Sequence, residues 1–307
     1  MPNTLVHLCI QTPASRILVR DSDFKWIALG CIIPDIPWVL QRIILVGYPD
    51  VDQVNLKIYA VIQASLIFCL VSSLALSLLA AGSRRIFLLL SMNSFLHLLL
   101  DSLQTKWGNG VHFLAPLSWK PLTFSLFWPE NVLVYTLSAA GLVVLLLYGK
   151  EAIKMKVPFT AERMKITAAV FLAAVYFLLP FAFFQGPVSA DTHYIATLKN
   201  VKERPGKYIE LDRRFYKNSD RSIADYSGEP LKLQGNIPEH DALLSVRGVF
   251  LDEKKIRVED FHVHRLFRDG ASMIGLAGVV FIWMIAIIRK KDTLKESVQE
   301  DTRKGIK

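Results

Sequence analysis

The chain has 307 residues, of which 52% are hydrophobic, with a mean hydropathy of +0.34 and a formal net charge of +9. A water-soluble enzyme of this length seldom carries so much apolar sequence, so the composition excludes an ordinary soluble globular protein and reads as an integral membrane protein. The basic excess gathers in short connections and in the tail, where orientation in a membrane accounts for it and no nucleic-acid partner is needed.

The N-terminal stretch MPNTLVHLCIQTPASR lacks a basic region ahead of its short apolar run, so no secretory signal is expected there and the segment stays on the chain. It carries His7 between apolar neighbours. Windows at 27–46, 56–81, 86–104, 132–148, 166–184 and 271–288 approach or exceed the ~20 apolar residues that cross a hydrocarbon core. The first holds Pro34, Asp35, Pro37 and Arg42. Two prolines remove backbone donors and break a helix, and a break at membrane depth must face protein or water.

The spacing predicts an α-helical polytopic membrane protein of about six spans, the first one broken. Arg84 and Arg85, the connector 150–165 and the tail from Arg289 fall on one side if the spans alternate. Basic loops stay cytoplasmic, so the expectation is a cell (inner) membrane protein with a cytoplasmic C-terminus. Connections 48–55 and 105–131 and the segment 185–270 then lie outside.

The third window contains SFLHLLLDSL, in which His97 and Asp101 are four apart and share a helix face with Asn93 one turn earlier. An ionised carboxylate in hydrocarbon costs ~2.5–3.5 kcal/mol on insertion scales, so it turns inward and finds a partner. Three compensations satisfy it: a His to Asp hydrogen bond within the bundle or close to the interface, a proton relay, or a divalent metal that takes imidazole and carboxylate together. Asp35 in IPDIP and His7 add a carboxylate and an imidazole in equally apolar settings. His112 follows in the outer loop, in GVHFLAPLSW.

That loop also holds Trp107, Trp119 and Trp128, a composition suited to the headgroup level, where it would anchor at the interface or act as a lid. Lys106 and Lys120 flank it and would attract an anionic headgroup. Cys9, Cys31 and Cys69 lie in apolar segments and are expected to be small packing residues rather than disulfide partners.

After QGPVSADTHY the pattern changes. KYIELDRRFY, EPLKLQGNI, ALLSVRGVFL and KKIRVEDFHVHRL alternate apolar and polar residues between Gly, Pro, Asn or Asp turns, which predicts about five short strands forming a small β-barrel or sandwich, with an OB-like barrel as one option. His262 and His264 alternate along a strand and so share a face, where a two-His metal site is one reading and ordinary strand histidines the other. His193 and His240, in predicted loops, carry no signal. The tail KKDTLKESVQEDTRKGIK is expected to be a solvated, frayed end. The expected division is a helical membrane domain at 1–150, a connector and fifth span at 151–185, an extracytoplasmic β-rich domain at 186–268, and the last span and tail at 269–307.

MPNTLVHLCI, GCIIPDIPWVLQR and FLHLLLDSLQTKWGNGVHFLAPLSW together resemble the LexA-regulated, membrane-bound metal-dependent hydrolases, over roughly residues 1–150. The resemblance implies a metal site at His7, Asp35, His97 and Asp101, holding Zn, or Mn or Fe. It also implies hydrolysis of a lipid or other membrane-associated substrate near the outer leaflet. In that reading Asp101 is the general base and His112 donates a proton to the leaving group. The family's Thr-His-Ser stands here as Gln63-Ala64-Ser65, without the imidazole. The other reading is a non-catalytic membrane protein whose outer β-domain binds a protein or envelope partner, with His97 and Asp101 as a structural pair.

Overall fold

A computed structural model describes residues 3–108, 110–155, 159–160, 162–190, 197 and 199–304, with side chains as far as residue 288. The connector residues 156–158 and 161, and His193, lie outside the described residues.

The helical part comprises α1 (Thr4–Leu18), α2 (Phe24–Ile32), α3 (Ile36–Gly47), α4 (Gln53–Gln63), α5 (Leu66–Leu78), α6 (Ser83–Leu103), α7 (Val132–Lys154), α8 (Arg163–Leu178) and the short α9 (Gln185–Ser189). After the strands a last helix, α10, runs over Phe267–Lys304. Among the described residues, five stretches are long and apolar enough to cross a membrane: Phe24–Gly47, Ser83–Leu103, Val132–Lys154, Arg163–Ser189 and Phe267–Ile288. The pair α4 and α5 makes a sixth if counted as one bent span. Val143, Leu146, Phe171, Leu178, Phe281 and Met284 stand exposed along α7, α8 and α10. An apolar belt of that extent does not face water in a soluble monomer and fits contact with lipid.

Two breaks shape the bundle. The first falls where Pro34 and Pro37 predict it: a 3-10 turn, Ile33–Asp35, separates α2 from α3. The second, a 69° bend between α4 and α5, interrupts what the sequence reads as one continuous span over 56–81. There Ser65 adopts extended backbone geometry and starts α5 anew, while the Gln63 side chain donates to the Tyr176 carbonyl on α8. Neither Pro nor Gly marks this break, so the apolar pattern runs through it unseen. The tail differs as well: its backbone continues as helix to Lys304 instead of fraying after the last apolar residue.

Helix α1 threads through the bundle, packed against α7, α2 and α10. Lipid tails are as apolar as leucine, so helices inside a membrane associate through close packing of small residues rather than through water expulsion. Gly141 on α7 meets α1 so closely that a Cβ there would overlap the Leu5 carbonyl, and a Cβ on Gly30 of α2 would lie 2.7 Å from Cβ of Asn93 on α6. These two contacts bring α1 and α2 onto the polar face of α6.

The strands β1 (Tyr208–Lys217), β2 (Ser222–Ala224), β3 (Pro230–Gln234), β4 (Ala242–Phe250) and β5 (Lys255–His264) close into a barrel in the order β1-β2-β3-β5-β4. All neighbours are antiparallel except β3 with β5. Inward residues such as Leu211, Tyr216, Leu231, Leu244 and Ile256 are buried, and this core continues into Ile58 and Ile62 of α4 and Tyr176 of α8.

The barrel therefore sits on one end of the bundle. At that end Lys57 lies over the Tyr226 ring and the Gly108 amide donates to Glu210. At the opposite end Thr160 donates to the Leu79 carbonyl, Arg16 faces Glu151, and the Lys25 amine reaches the carbonyls of Ala152 and Met155. Arg85 and the start of the basic connector thus share the end remote from the barrel.

Candidate metal centre

The residues that sequence reasoning placed in the metal set come from three places: the start of α1, the break after α2 and the end of α6. Asn3 caps α1 by accepting from the Val6 amide, which fixes the helix start and puts His7 at the end of its first turn, fully buried. The 3-10 turn after α2 presents Asp35. His97 and Asp101 occupy one face of α6 in its last two turns, nearest the barrel.

These side chains meet. His7 Nε2 lies 3.4 Å from Asp101 Oδ1, and His97 Nε2 lies 3.6 Å from Asp35 Oδ1 and 3.8 Å from Asp101 Oδ2. The two imidazoles stack with centroids 3.8 Å apart and planes 2° apart. One ligand atom each from His7, His97 and Asp101 falls within 4.8 Å of the others. Asp35 touches this triad through His97 and stands just outside it.

Four buried polar atoms are left without a hydrogen-bond partner here: His7 Nε2, Asp35 Oδ1, His97 Nε2 and Asp101 Oδ1. A buried polar group left unmatched costs about 1–3 kcal/mol, so four aimed at one spot are not a bland packing solution. The donor set of two imidazoles and one or two carboxylates is one that Zn, Mn or Fe accepts, and the residues present fit a divalent ion.

The surrounding groups orient the rings. His97 Nδ1 faces the Cys31 carbonyl at 2.5 Å and must donate to it, which leaves Nε2 as a lone pair. Gln11 sits 3.0 Å from His7 Nδ1 through its amide nitrogen and accepts from the Cys31 thiol through its oxygen. Rotating that amide by half a turn puts its oxygen on Nδ1, the arrangement ligation through Nε2 requires. Asn93 bonds to Ser15 on α1 and to the Leu89 carbonyl, tying α1 to α6 one turn below His97. Gln11, four residues after His7, was readable from helical spacing. Ser15 was not, because its partner lies on another helix.

Lys106 departs from expectation. It is buried, not an exposed attractor of headgroups, and its amine pairs with Asp101 Oδ2 at 3.2 Å. Its position just past the α6 C-terminus returns the chain toward Asp101. Lys120 is exposed.

His112 lines a cavity with Pro34, Trp38, Ala64, Asp101 and Lys106. Its Nδ1 faces the Trp119 carbonyl at 2.8 Å and donates to it. Burial pushes the imidazole pKa down to about 4, so at neutral pH the ring offers an acceptor rather than a proton. That environment does not suit the proton donor expected from the sequence. A second cavity, lined by Asp35, Trp38, Arg42, Arg268 and Ser272, approaches from the α10 side.

The tryptophans of the loop also make contacts within the protein. Trp107 packs edge-on to Trp128 and under Arg247 of the barrel, and Trp119 packs against Phe183. The loop is a plate between bundle and barrel. The cysteines are unpaired, with Cys31 and Cys69 buried.

No protein family, curated protein or solved structure matches this chain.

Proposed function

We propose that the protein is a membrane-bound metal-dependent hydrolase acting on a lipid or membrane-associated substrate at the barrel end of its bundle. The observation that carries this reading is the convergence of four unmatched buried polar atoms, on His7, Asp35, His97 and Asp101. His7, His97 and Asp101 would hold the ion, zinc being the best fit to a nitrogen-rich set. Bound there, a divalent cation supplies Lewis acidity toward a carbonyl or phosphoryl oxygen and lowers the pKa of water.

The roles of the carboxylates follow from position. Lys106 occupies Asp101 Oδ2, leaving Oδ1 for the metal. Asp35, next to the triad but outside it, is the better placed of the two to accept a proton from water, in place of Asp101. His112 accepts a hydrogen bond from substrate across the cavity it shares with Asp101. Arg42 and Arg268 in the second cavity stand beside Asp35 and Asp269, so its lining is polar and charge-balanced.

The barrel is OB-like in this reading: its strand order and its parallel β3 to β5 pairing agree with that topology, although the β3 to β4 connection carries no helix among the described residues. The clustering of Arg85 and the basic connector opposite the barrel supports an inner-membrane protein with an extracytoplasmic barrel and a cytoplasmic C-terminus.

A second reading has its own observation. The Lys106 to Asp101 ion pair already neutralises one carboxylate, and Ala64 stands where the resembling family has its further histidine. Both fit a non-catalytic protein whose barrel binds a partner. Metal content decides between them. Elemental analysis of the detergent-purified chain, supplied with Zn or Mn and kept free of chelator, is expected to give stoichiometric metal that falls by one equivalent in both His97→Ala and Asp101→Asn. Wild-type protein that holds no more metal than these variants sinks the hydrolase reading.

A further inference from the structure

The alternating pair His262 and His264 on β5 finds a third group that the sequence does not reveal. Glu130, at the end of the tryptophan-rich loop, reaches across to both: Oε2 lies 3.0 Å from His262 Nε2 and Oε1 lies 3.1 Å from His264 Nδ1. One ligand atom each from Glu130, His262 and His264 falls within 4.8 Å of the others. The distances are close to the ~3.3 Å that separates two ligands in a tetrahedral zinc site with metal bonds of ~2.0–2.1 Å.

Proton placement narrows the choice of what joins them. Ser245 has one hydroxyl hydrogen. The Asp212 carboxylate, 3.0 Å from that hydroxyl, can only accept, so the hydrogen goes to Asp212. The Ser245 oxygen accepts from the Arg213 amide, and it must also accept from His264 Nε2 at 2.7 Å. His264 therefore carries its proton on Nε2, and in a neutral ring the Nδ1 lone pair points at a carboxylate oxygen. That contact is repulsive unless a positive species lies between them: either a second proton on His264 or a metal ion.

The geometry favours the metal. The His264 side chain is 1% exposed, and the Arg213 guanidinium already lies 3.7 Å from the Glu130 oxygen that His264 Nδ1 faces. Glu130, Asp212 and Asp269 bring three carboxylates to this corner against the guanidiniums of Arg213 and Arg268, so an added cation is not in excess. Arg213 reaches the corner because a bulge in β1 gives it a φ of +50° and turns it toward Asp269 and Glu130. The outer arrangement is that of a built site: Ser245 and Asp212 fix the tautomer of His264, and Trp128 stacks on His262 with centroids 3.9 Å apart and planes 1° apart.

The geometry points to a second divalent-metal site, selective for zinc, formed by Glu130, His262 and His264, which clips the loop 105–131 to strand β5. It is independent of the centre at His97. With three protein ligands and the His262 edge 24% exposed, the fourth position belongs to water. Its effect is mechanical: it fixes the barrel over the end of the bundle where the other cavities open.

The test uses the full-length chain in detergent, carrying His97→Ala and Asp101→Asn so that the first centre contributes nothing. Zinc alone is added, and bound metal is counted after dialysis. About one equivalent per chain is expected, and cobalt in its place gives the visible absorption of a four-coordinate ion. Adding Glu130→Gln should remove the bound zinc. Ser245→Ala should weaken binding about 10–100-fold while leaving the ligands in place. If the Glu130 variant does not fold, His262→Gln, on the more exposed ring, takes its place. No zinc above the detergent blank in the parent, or zinc that persists when Glu130 or His262 is replaced, overturns the site. Because the parent lacks His97 and Asp101, that failure would leave the hydrolase reading untouched.

Discussion

His7 and His97 stack face to face at 3.8 Å, and both turn their Nε2 atoms toward Asp101. Two fully buried rings in that contact repel if both are protonated, so the pair is built to present lone pairs. Zinc bound there should stabilise the fold by mass action, by about 2.7 kcal/mol at one hundred times its dissociation constant. The thermal midpoint of detergent-purified protein should rise with added zinc, and in the His7→Ala and Asp101→Asn variants that rise should shrink to what the second site supplies. An identical rise in wild type and both variants would count against ligation.

Lys106 tests the same centre from the other side. Replacing it with Met leaves the Asp101 carboxylate buried without its cation, which costs about 3–5 kcal/mol when nothing else compensates. Metal on Asp101 is the substitute compensation. Lys106→Met should therefore be strongly destabilised in chelator and largely recover with zinc. A loss that zinc does not mend would favour the purely structural ion pair.

The close approach of α1 to α7 carries His7 into place. Gly141→Ala must push α1 away from α7, because the new Cβ overlaps the Leu5 carbonyl, at a cost of about 1–3 kcal/mol typical of overpacking. If α1 positions a ligand, the same variant should also weaken zinc binding, although Gly141 touches no ligand atom. Unchanged affinity in a destabilised Gly141→Ala would separate α1 from the site.

Protonation of His112 gives a pH dependence. Its folded pKa of about 4 lies below the unfolded value of ~6.5. Above pH 6.5 both states are neutral and His112 has no effect. As pH falls from 6.5 toward 4 the unfolded chain takes up the proton first, so stability is lost through that window, by at most about 3 kcal/mol and less where water reaches the ring. Comparing unfolding midpoints at pH 7 and pH 4.5 for wild type and His112→Asn should show a shallower fall in the variant.

What the sequence made legible, and what it did not, divides by range. The membrane-crossing stretches follow from uninterrupted apolar runs, and the break at Asp35 follows from Pro34 and Pro37. The bend at Ala64 and Ser65 has no such mark, since it is held by a tertiary bond from Gln63 to α8. Strand β2 is three residues long, too short for alternation to register. His97 with Asp101 is a local pattern at helical spacing. The pairing of Glu130 with His262 and His264 closes over more than one hundred and thirty residues, and only the docked barrel brings it about. Lys106 looked like a surface charge because nothing in its neighbours says that the chain folds back onto α6.

Ala64 offers the last test. It lines the cavity shared by Asp101, Lys106 and His112, at the break between α4 and α5. Ala64→His would set a third imidazole beside the pair on His7 and His97, where the bend between α4 and α5 faces the Asp35 turn. The added ring should tighten zinc binding at the first centre at least tenfold, and it should compete with Lys106 for Asp101, so that the double variant Ala64→His, Lys106→Met binds tighter still. Zinc titration by competition with a chromophoric chelator reads both steps. A weaker affinity in Ala64→His would mean that the cavity is shaped around the Lys106 amine, and that the centre has settled on an ion pair in place of its metal.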